Sequence, residues 1–364
     1  MALTKPRRTH ETSGAMDSRS MTGPFFEVPL GWRYQLFGMF VREIDSEKTD
    51  MLDLSGKVMG LNAYGVPTER DVRWFENWFK MDYPDYLLSF DPNRNWFLEL
   101  LGSRALNKDS VSARDQWFLN LVASMQEAFS RTICALAQQA LVSTGSRSIV
   151  LSGGCALNVL TNSRVARLDT VERFFVQPNS GDGGLPLGAA AIGSSRLAGF
   201  PLHHPDAPLD ARRNPYMGVS LVDDLPNDFL DGNIECRAAL ASDRNSAKTI
   251  SRLLLNNRIV ALVTGTAEVG PRALGHRSIL AIGGDPRMRD VLNKVKCREW
   301  WRPFAPVCRA IDVERYFEGD LFSPYMLTAA IVRPEFRSAL ASASHEDGTA
   351  RVQVLPHRTA NPLL

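Results

Sequence analysis

The chain has 364 residues, enough for two domains, and its 44% hydrophobic and 23% charged content is that of an ordinary globular protein. A net charge of only +2 gives no electrostatic case for nucleic acid or an anionic membrane as partner, and no apolar run reaches membrane-spanning length. The five cysteines (Cys134, Cys155, Cys236, Cys297, Cys308) are odd in number, scattered and without CxxC spacing, which argues against a disulfide framework or zinc motif and for reduced thiols in a cytoplasmic protein.

Residues 1–24 are polar and basic without an apolar h-region, so they read as a disordered leader and not a secretory signal, with Met16 and Met21 as alternative starts. A first domain is read over residues 25–200. It opens with aromatic and apolar residues to Val41 and a polar loop near Asp45 to Asp50. The segment from Gly56 to Gly65 is dense in glycine around a single lysine, Lys57, which predicts turns or close backbone approach. Residues 69–110 are aromatic-rich and give no clear element. From Val111 to Thr144 the spacing predicts a long helix. Trp117, Leu121, Met125, Phe129 and Ile133 form its core-facing stripe, and Gly145 is its stop.

Two strand–glycine loop–helix units follow, which predicts an α/β domain with ligands at the strand ends. Ser148 to Leu151 reads as a short buried strand running into Ser152-Gly153-Gly154-Cys155-Ala156-Leu157-Asn158. Free amides in such a turn suit an anion, although many strand-to-helix turns contain two glycines. Arg173 to Val176 is the second strand, and a small-residue helix is predicted over Leu187 to Leu197. Between them Asp182 stands among glycines. It can ligate a metal or a ribose hydroxyl, or cap the helix, and capping is the reading its position alone favours.

Residues 201–235, rich in Pro, Asp and Asn, read as a linker in which His203 and His204 lack an obvious third ligand. A second domain, residues 236–364, begins with a helix near Ser246 to Leu255 and a short buried strand from Ile259 to Val263. A Gly/Pro turn then presents Arg272 and Arg277. A helix predicted from Met288 to Trp301, ended by Pro303, brings Lys296, Arg298 and Arg302 into the same stretch. Trp300, Trp301 and Phe304 interrupt these five cations, unlike a solvated charged face. Fixed guanidinium groups suit phosphate or carboxylate, and structural ion pairs with Glu268, Asp285 and Glu299 are the equal alternative. The stretch from His345 to Gln353 is a turn leading into a strand.

Taken in order, GKVMGLNAYG (56–65), LSGGCALN (151–158), QPNSGDGGLPLGAA (177–190), EVGPRALGHRSIL (268–280), NKVKCREWWRPFAP (293–306) and HEDGTARVQ (345–353) resemble the motifs of the NodU/CmcH family of O-carbamoyltransferases, over roughly residues 25–356. The resemblance implies a partial ASKHA-type (TsaD-like) domain followed by a partial YrdC-like α+β domain. It implies that the C-terminal domain joins carbamoyl phosphate to ATP, giving carbamoyl-adenylate with loss of pyrophosphate. The N-terminal domain would hold the adenylate beside a divalent metal (Fe2+ or similar) and pass the carbamoyl group to a hydroxyl of a sugar or secondary metabolite, a nodulation factor among the candidates. Carried onto this sequence, Lys296, Arg302, Arg272 and Arg277 take the catalytic positions around the anionic oxygens. Gly153, Gly154 and Asn158 form the nucleotide-contacting turn, and Asp182 is the metal ligand.

The chain also departs from that pattern. Family members are considerably longer. The histidines here (10, 203, 204, 276, 345, 357) supply no HxxxH-like pair, no NTSFN-like strand motif follows the last match, and Thr266 stands where the family commonly has arginine. These departures imply an incomplete metal site at Asp182. The alternative reading is a non-catalytic fragment that is inert or only binds nucleotide or carbamoyl phosphate, with a complementing chain as partner. They also predict a stripe at Trp117, Leu121 and Met125 that is only partly buried, with open sheet edges and uncovered apolar surface.

Overall fold

The computed structural model describes residues 30–45, 49–80, 111–199, 214–220, 244–319 and 323–355. Helices and strands are mixed, and the chain forms two compact units: Met1–Phe175 with Glu299–Arg302, and Val176–Arg298 with Pro303–Leu364. The division falls upstream of residue 200, and a four-residue strap from late in the sequence belongs to the first unit.

The first unit contains α1 (Leu30–Leu36), α2 (Met51–Leu61), α3 (Glu69–Lys80), α4 (Gln116–Thr144), β1 (Ser148–Leu151), α5 (Val159–Ala166) and all but the last residue of β2 (Arg173–Val176), which pairs with β1. The long helix starts later than its periodicity suggests. Val111 is taken up in a parallel bridge to Val41, and the Asp115 carboxylate accepts from the Ser112 amide at 2.9 Å, closing a turn ahead of Gln116. Its end is as expected, since Gly145 takes a left-handed φ of 64° and returns its N–H to Val142 O. Leu121 and Met125 are buried, as are Phe129 and Ile133, which corrects the expectation of a half-open stripe at these positions; Trp117, at its start, is half-buried as expected. The cause is an aromatic layer from the helices before α4: Phe37 meets the rings of Phe75, Trp78 and Phe118, while Tyr34 and Phe79 meet Phe129 edge-on. Burying each such side chain contributes about 1.5–3 kcal/mol.

The glycine-dense segment is mostly helix α2, not a turn. A Cβ at Gly60 would stand 3.0 Å from Trp301 Cδ1, and one at Gly65 would overlap Leu119 O. The glycines therefore permit close approach, as the sequence suggested, but they do so largely from within a helix. Trp301 is 0% exposed and donates from Nε1 to Lys57 O at 2.9 Å. Trp300 lies edge-on to Tyr64 and under the Arg114 guanidinium, 4.5 Å from its ring centre.

The second unit contains α6 (Leu185–Ala198), α7 (Arg244–Leu255) and a hairpin-like pair in which β3 (Val260–Val263) runs antiparallel to β4 (Arg277–Leu280). After α8 (Met288–Val295), β5 (Val307–Arg309) runs parallel to β9 (Gln353–Leu355). α9 (Val313–Tyr316) leads into β6 (Phe317–Glu318), which with β7 (Ala330–Val332) and β8 (Thr349–Ala350) forms an antiparallel sheet over a core of Val313, Phe317, Val332, Val352 and Val354. α8 stops at Val295, short of Trp301. Lys296 caps it, Cys297 takes a left-handed φ of 48°, and the Arg298 amide turns back to Asn293 O, so Pro303 is not the terminator. β3 is not buried: β4 is its partner among the described residues, and Val263 is exposed. Residues 214–220 are not linker, since Ala267 and Val269 donate their amides to Val219 O and Pro215 O. The rest of the predicted linker, with His203 and His204, lies outside the described residues, as do residues 1–24 and 81–110. Apolar side chains stand open on this unit, most of all Leu197 on α6 (91% exposed) and Leu255 on α7 (77%). No helix among the described residues is long and apolar enough to cross a membrane.

Because Trp301 fills a core position against α2, Trp301→Ala is expected to lower the stability of the first unit by about 3–5 kcal/mol. Hydrogen exchange of the α2 and α4 amides under urea checks this. A loss below about 1 kcal/mol would mean the strap is ornamental.

Candidate functional site

In the second unit two of the motif loops meet. Gly270, at φ 131°, lies so close to the other loop that a Cβ would be 3.1 Å from Pro178 O and 3.5 Å from Asn179 Cα. The loop 178–184 coils around Asn179: a Cβ at Gly184 would overlap Asn179 O, and one at Gly183 would stand 3.1 Å from Asn179 Oδ1. Gly184 and Gly270 are therefore demanded by backbone proximity, whereas Gly183 faces the Asn179 side chain. Within this loop the Ser180 hydroxyl is buried and has no hydrogen-bond partner among the described residues. Asp182 is exposed at the start of a short 3-10 turn, and α6 is preceded by Gly184 with no side-chain cap. The capping reading of Asp182 is thus corrected: the carboxylate faces solvent.

The arginine-bearing loop is held by a single carboxylate oxygen. Glu268 Oε1 accepts from the amides of Leu274 (2.7 Å), His276 (2.8 Å) and Arg277 (3.2 Å). Burial pushes this carboxyl up, but the three amides outweigh burial and hold it below the usual carboxylate range. Arg277 is directed inward. NH1 donates to Thr264 O (2.8 Å) and His276 O (2.9 Å), and NH2 to Gly265 O (3.1 Å) and Val219 O (3.3 Å). Beside it His276 stacks on Tyr216 with ring centres 3.9 Å apart, and its Nδ1 lies 2.6 Å from Thr266 O. Burial, helped by the Glu268 charge, pushes the Tyr216 hydroxyl up to about 12, and that hydroxyl donates to Leu274 O. Arg272, on the outer part of the loop, is half-buried.

The other predicted cations are placed differently. Lys296 is exposed at the C-terminal end of α8, where its charge suits the helix dipole. Arg302 belongs to the first unit. Its NH1 is 3.5 Å from Glu299 Oε2, while Glu299 Oε1 is 2.5 Å from Lys57 Nζ, which also donates to Thr49 Oγ1. Arg272, Arg277 and Lys296 share the second unit; Arg302 does not. The ion-pair alternative is realised for Glu299. Asp285 instead pairs with Arg287, and Glu268 turns to backbone amides.

In the first unit, Gly153 sits at φ 89° and a Cβ at Gly154 would meet nothing within 4 Å, so the Gly153-Gly154 turn is open. Asn158 is committed beneath it. Its Oδ1 accepts from the Thr161 amide at the start of α5, and its Nδ2 donates to Gln126 Oε1 at 2.9 Å. Gln126 also accepts from the Tyr34 hydroxyl and donates to Ser130. Of this network Asn158 was singled out from sequence, and Tyr34, Gln126 and Ser130 were not. Polar Gln126 and Ser130 within the apolar span of α4 were the available signal. For Tyr216 stacking on His276 there was none.

Among the described residues no group of three or more His, Cys, Asp or Glu side chains is gathered to hold a metal. Asp182 alone offers one carboxylate, which does not fit tight divalent binding.

With this geometry in view, comparison with known proteins places the chain. The family model "Carbamoyltransferase N-terminus" matches residues 12–191 and "Carbamoyltransferase C-terminus" residues 251–364. The chain belongs to the carbamoyltransferase family. It is 33% identical over 351 residues to a 3'-hydroxymethylcephem-O-carbamoyltransferase of Streptomyces clavuligerus, covering 94% of this chain and 60% of that one. It is 31% identical over 314 residues to the nodulation protein NolO of Bradyrhizobium diazoefficiens, covering 84% and 55%. The chain therefore spans little more than half the length of these relatives.

Since the Glu268 carboxyl is depressed, the stability it contributes is full above the unfolded-state value of about 4.3 and is lost as pH falls through the lower folded value. Amide protection at Leu274 and His276 is expected to fall with acidification below about pH 4. Glu268→Ala should remove that dependence and cost about 1.5–3 kcal/mol. Equal acid profiles for the two proteins would rule out this role.

Proposed function

We propose that this chain carries the core of an ATP-dependent O-carbamoyltransferase. Carbamoyl phosphate and ATP give carbamoyl-adenylate, and the carbamoyl group then passes to a hydroxyl of a small-molecule or oligosaccharide acceptor. The observation that supports this most directly is the backbone contact of Gly270 with Pro178 and Asn179, which sets the arginine-bearing loop against the SGDGG loop within one unit. On this reading the first part of the chain has an ASKHA-type, TsaD-like fold and the second a YrdC-like one. The names of the relatives make a hydroxymethyl-bearing small molecule or a nodulation factor the candidate acceptors.

Joining carbamoyl phosphate to ATP gathers several anionic oxygens, and cations already in position lower the barrier without reorganising. Of the predicted cations of the second unit, Lys296 is exposed and Arg272 half-buried, whereas Arg277 is committed to loop carbonyls, so Arg272 and Lys296 would contact those oxygens. Arg277 holds the loop through its carbonyls, and Arg302 is left out of this set, since it belongs to the first unit and lies beside Glu299. The open Gly153-Gly154 turn would take the nucleotide, and Asn158 would support it from below. A divalent ion at Asp182 enters only with further ligands from outside the described residues. Among the described residues Cys134, Cys155, Cys297 and Cys308 are free thiols, which accords with a cytoplasmic setting.

The exposed apolar side chains Leu197 and Leu255 favour a second reading, in which the chain binds its ligands but turns over only when a complementing chain covers that surface. Calorimetry and pyrophosphate release separate the two. Carbamoyl phosphate should bind the full chain, and Arg272→Ala or Lys296→Ala should weaken it about 10- to 100-fold. Pyrophosphate release with ATP supports the enzyme; binding without release supports the second reading. A chain that binds neither carbamoyl phosphate nor ATP sinks both.

A further inference from the structure

His276 is held more firmly than a loop residue needs to be, and the way it is held fixes its chemistry. Nδ1 is 2.6 Å from Thr266 O. A carbonyl oxygen only accepts, so Nδ1 carries the proton, and in the neutral ring Nε2 is a lone pair. The ring cannot easily turn. It stacks on Tyr216 at 3.9 Å, Tyr216 is pinned through its hydroxyl to Leu274 O, and Gln353 Nε2 donates to that same carbonyl at 2.9 Å. Behind the ring Gly265 takes φ 50°, and a Cβ there would come 3.2 Å from His276 Cε1. The residue is 9% exposed, yet Nε2 makes no hydrogen bond among the described residues and is not sealed from solvent.

Such a group asks for a donor. Phosphate oxygens are acceptors and are served by arginine and lysine. Carbamoyl phosphate differs in carrying an amide –NH2 one carbonyl away from its phosphate, so a loop with a cation, Arg272, four residues before a fixed lone pair suits that molecule. Adenine also has an amino group, but its distance from the phosphates makes it a poorer match to one short loop. Resting on the carbamoyltransferase reading above, we propose that His276 is a specificity-determining residue whose Nε2 accepts a hydrogen bond from the carbamoyl –NH2, selecting carbamoyl phosphate over acetyl phosphate.

The test measures affinities of the full chain for carbamoyl phosphate, acetyl phosphate and inorganic phosphate, in wild type and in His276→Asn. Asparagine can keep the donor to Thr266 O while removing the Nε2 lone pair, so it separates recognition from loop support. Wild type is expected to prefer carbamoyl over acetyl phosphate by about tenfold, the worth of about 1.4 kcal/mol. The variant should bind both alike, with unchanged affinity for inorganic phosphate. A wild type without preference, or a preference that survives in His276→Asn, overturns this inference and leaves the carbamoyltransferase reading standing. A wild type that binds none of the three overturns that reading and this one with it. Should the variant not fold, nitrogen NMR of histidine-labelled wild type decides. A His276 Nε2 shift with carbamoyl phosphate and not with acetyl phosphate supports the proposal, and equal responses overturn it.

Discussion

Everything in the arginine-bearing loop depends on where one carboxylate oxygen goes. Three backbone amides, at Leu274, His276 and Arg277, converge on Glu268 Oε1, making a nest that the protein fills with its own anion. Charge-assisted bonds of this kind are stronger than neutral ones and impose direction. With the amides drawn inward, the carbonyls of Thr264, Gly265 and His276 are left to the Arg277 guanidinium. The six- to nine-residue separation between the acid and its amides fixes the loop's size, and the side chains that project from it inherit its rigidity.

The first unit achieves the same end without an ion. Beneath the Gly153-Gly154 turn, Tyr34, Gln126, Ser130, Asn158 and Thr161 satisfy one another in a buried network. Burial pushes the Tyr34 hydroxyl up, so it stays a neutral donor to Gln126. In a low-dielectric interior a network with its members paired is rigid, and a lost member leaves its partners costly. Asn158 therefore matters to the glycine turn through geometry.

Local patterns were legible in the sequence, and long-range ones were not. The helix ending at Gly145, the strands at Ser148 and Arg173 and the helix reaching Leu255 follow from period, β-branching and stop residues, all of which act within a few positions, although the strand at Ser148 is not buried as expected, since Val150 is exposed. Gly60 misled as to its element because its cause lies far along the chain, in the Trp301 indole packed against it within a helix, while a Cβ at Gly56 would meet nothing within 4 Å. The helix from Met288 was overrun because its stop is Cys297 in a left-handed conformation, which lacks the usual glycine, while Pro303 offered a false one. At the candidate site the motif residues were legible, but not their roles. Closeness in sequence grouped five cations, and folding sent Arg277 to carbonyls and Arg302 to Glu299. Lys57 meeting Glu299, and Tyr216 meeting His276, are pairings that no local rule foretells.

The strap has a consequence for how this chain can be divided or recombined. Glu299, Trp300 and Trp301 lie inside the stretch matched by the C-terminal family model, yet Trp301 is a core residue of the first unit. A cut placed between the two family segments would not yield two self-sufficient halves, because the upstream piece would lack its own indole. Exchange of the downstream segment between relatives would likewise replace part of the upstream interior. Drift at Gly60 and at Trp301 is therefore tied together, and the two segments are bound to be inherited as a matched pair.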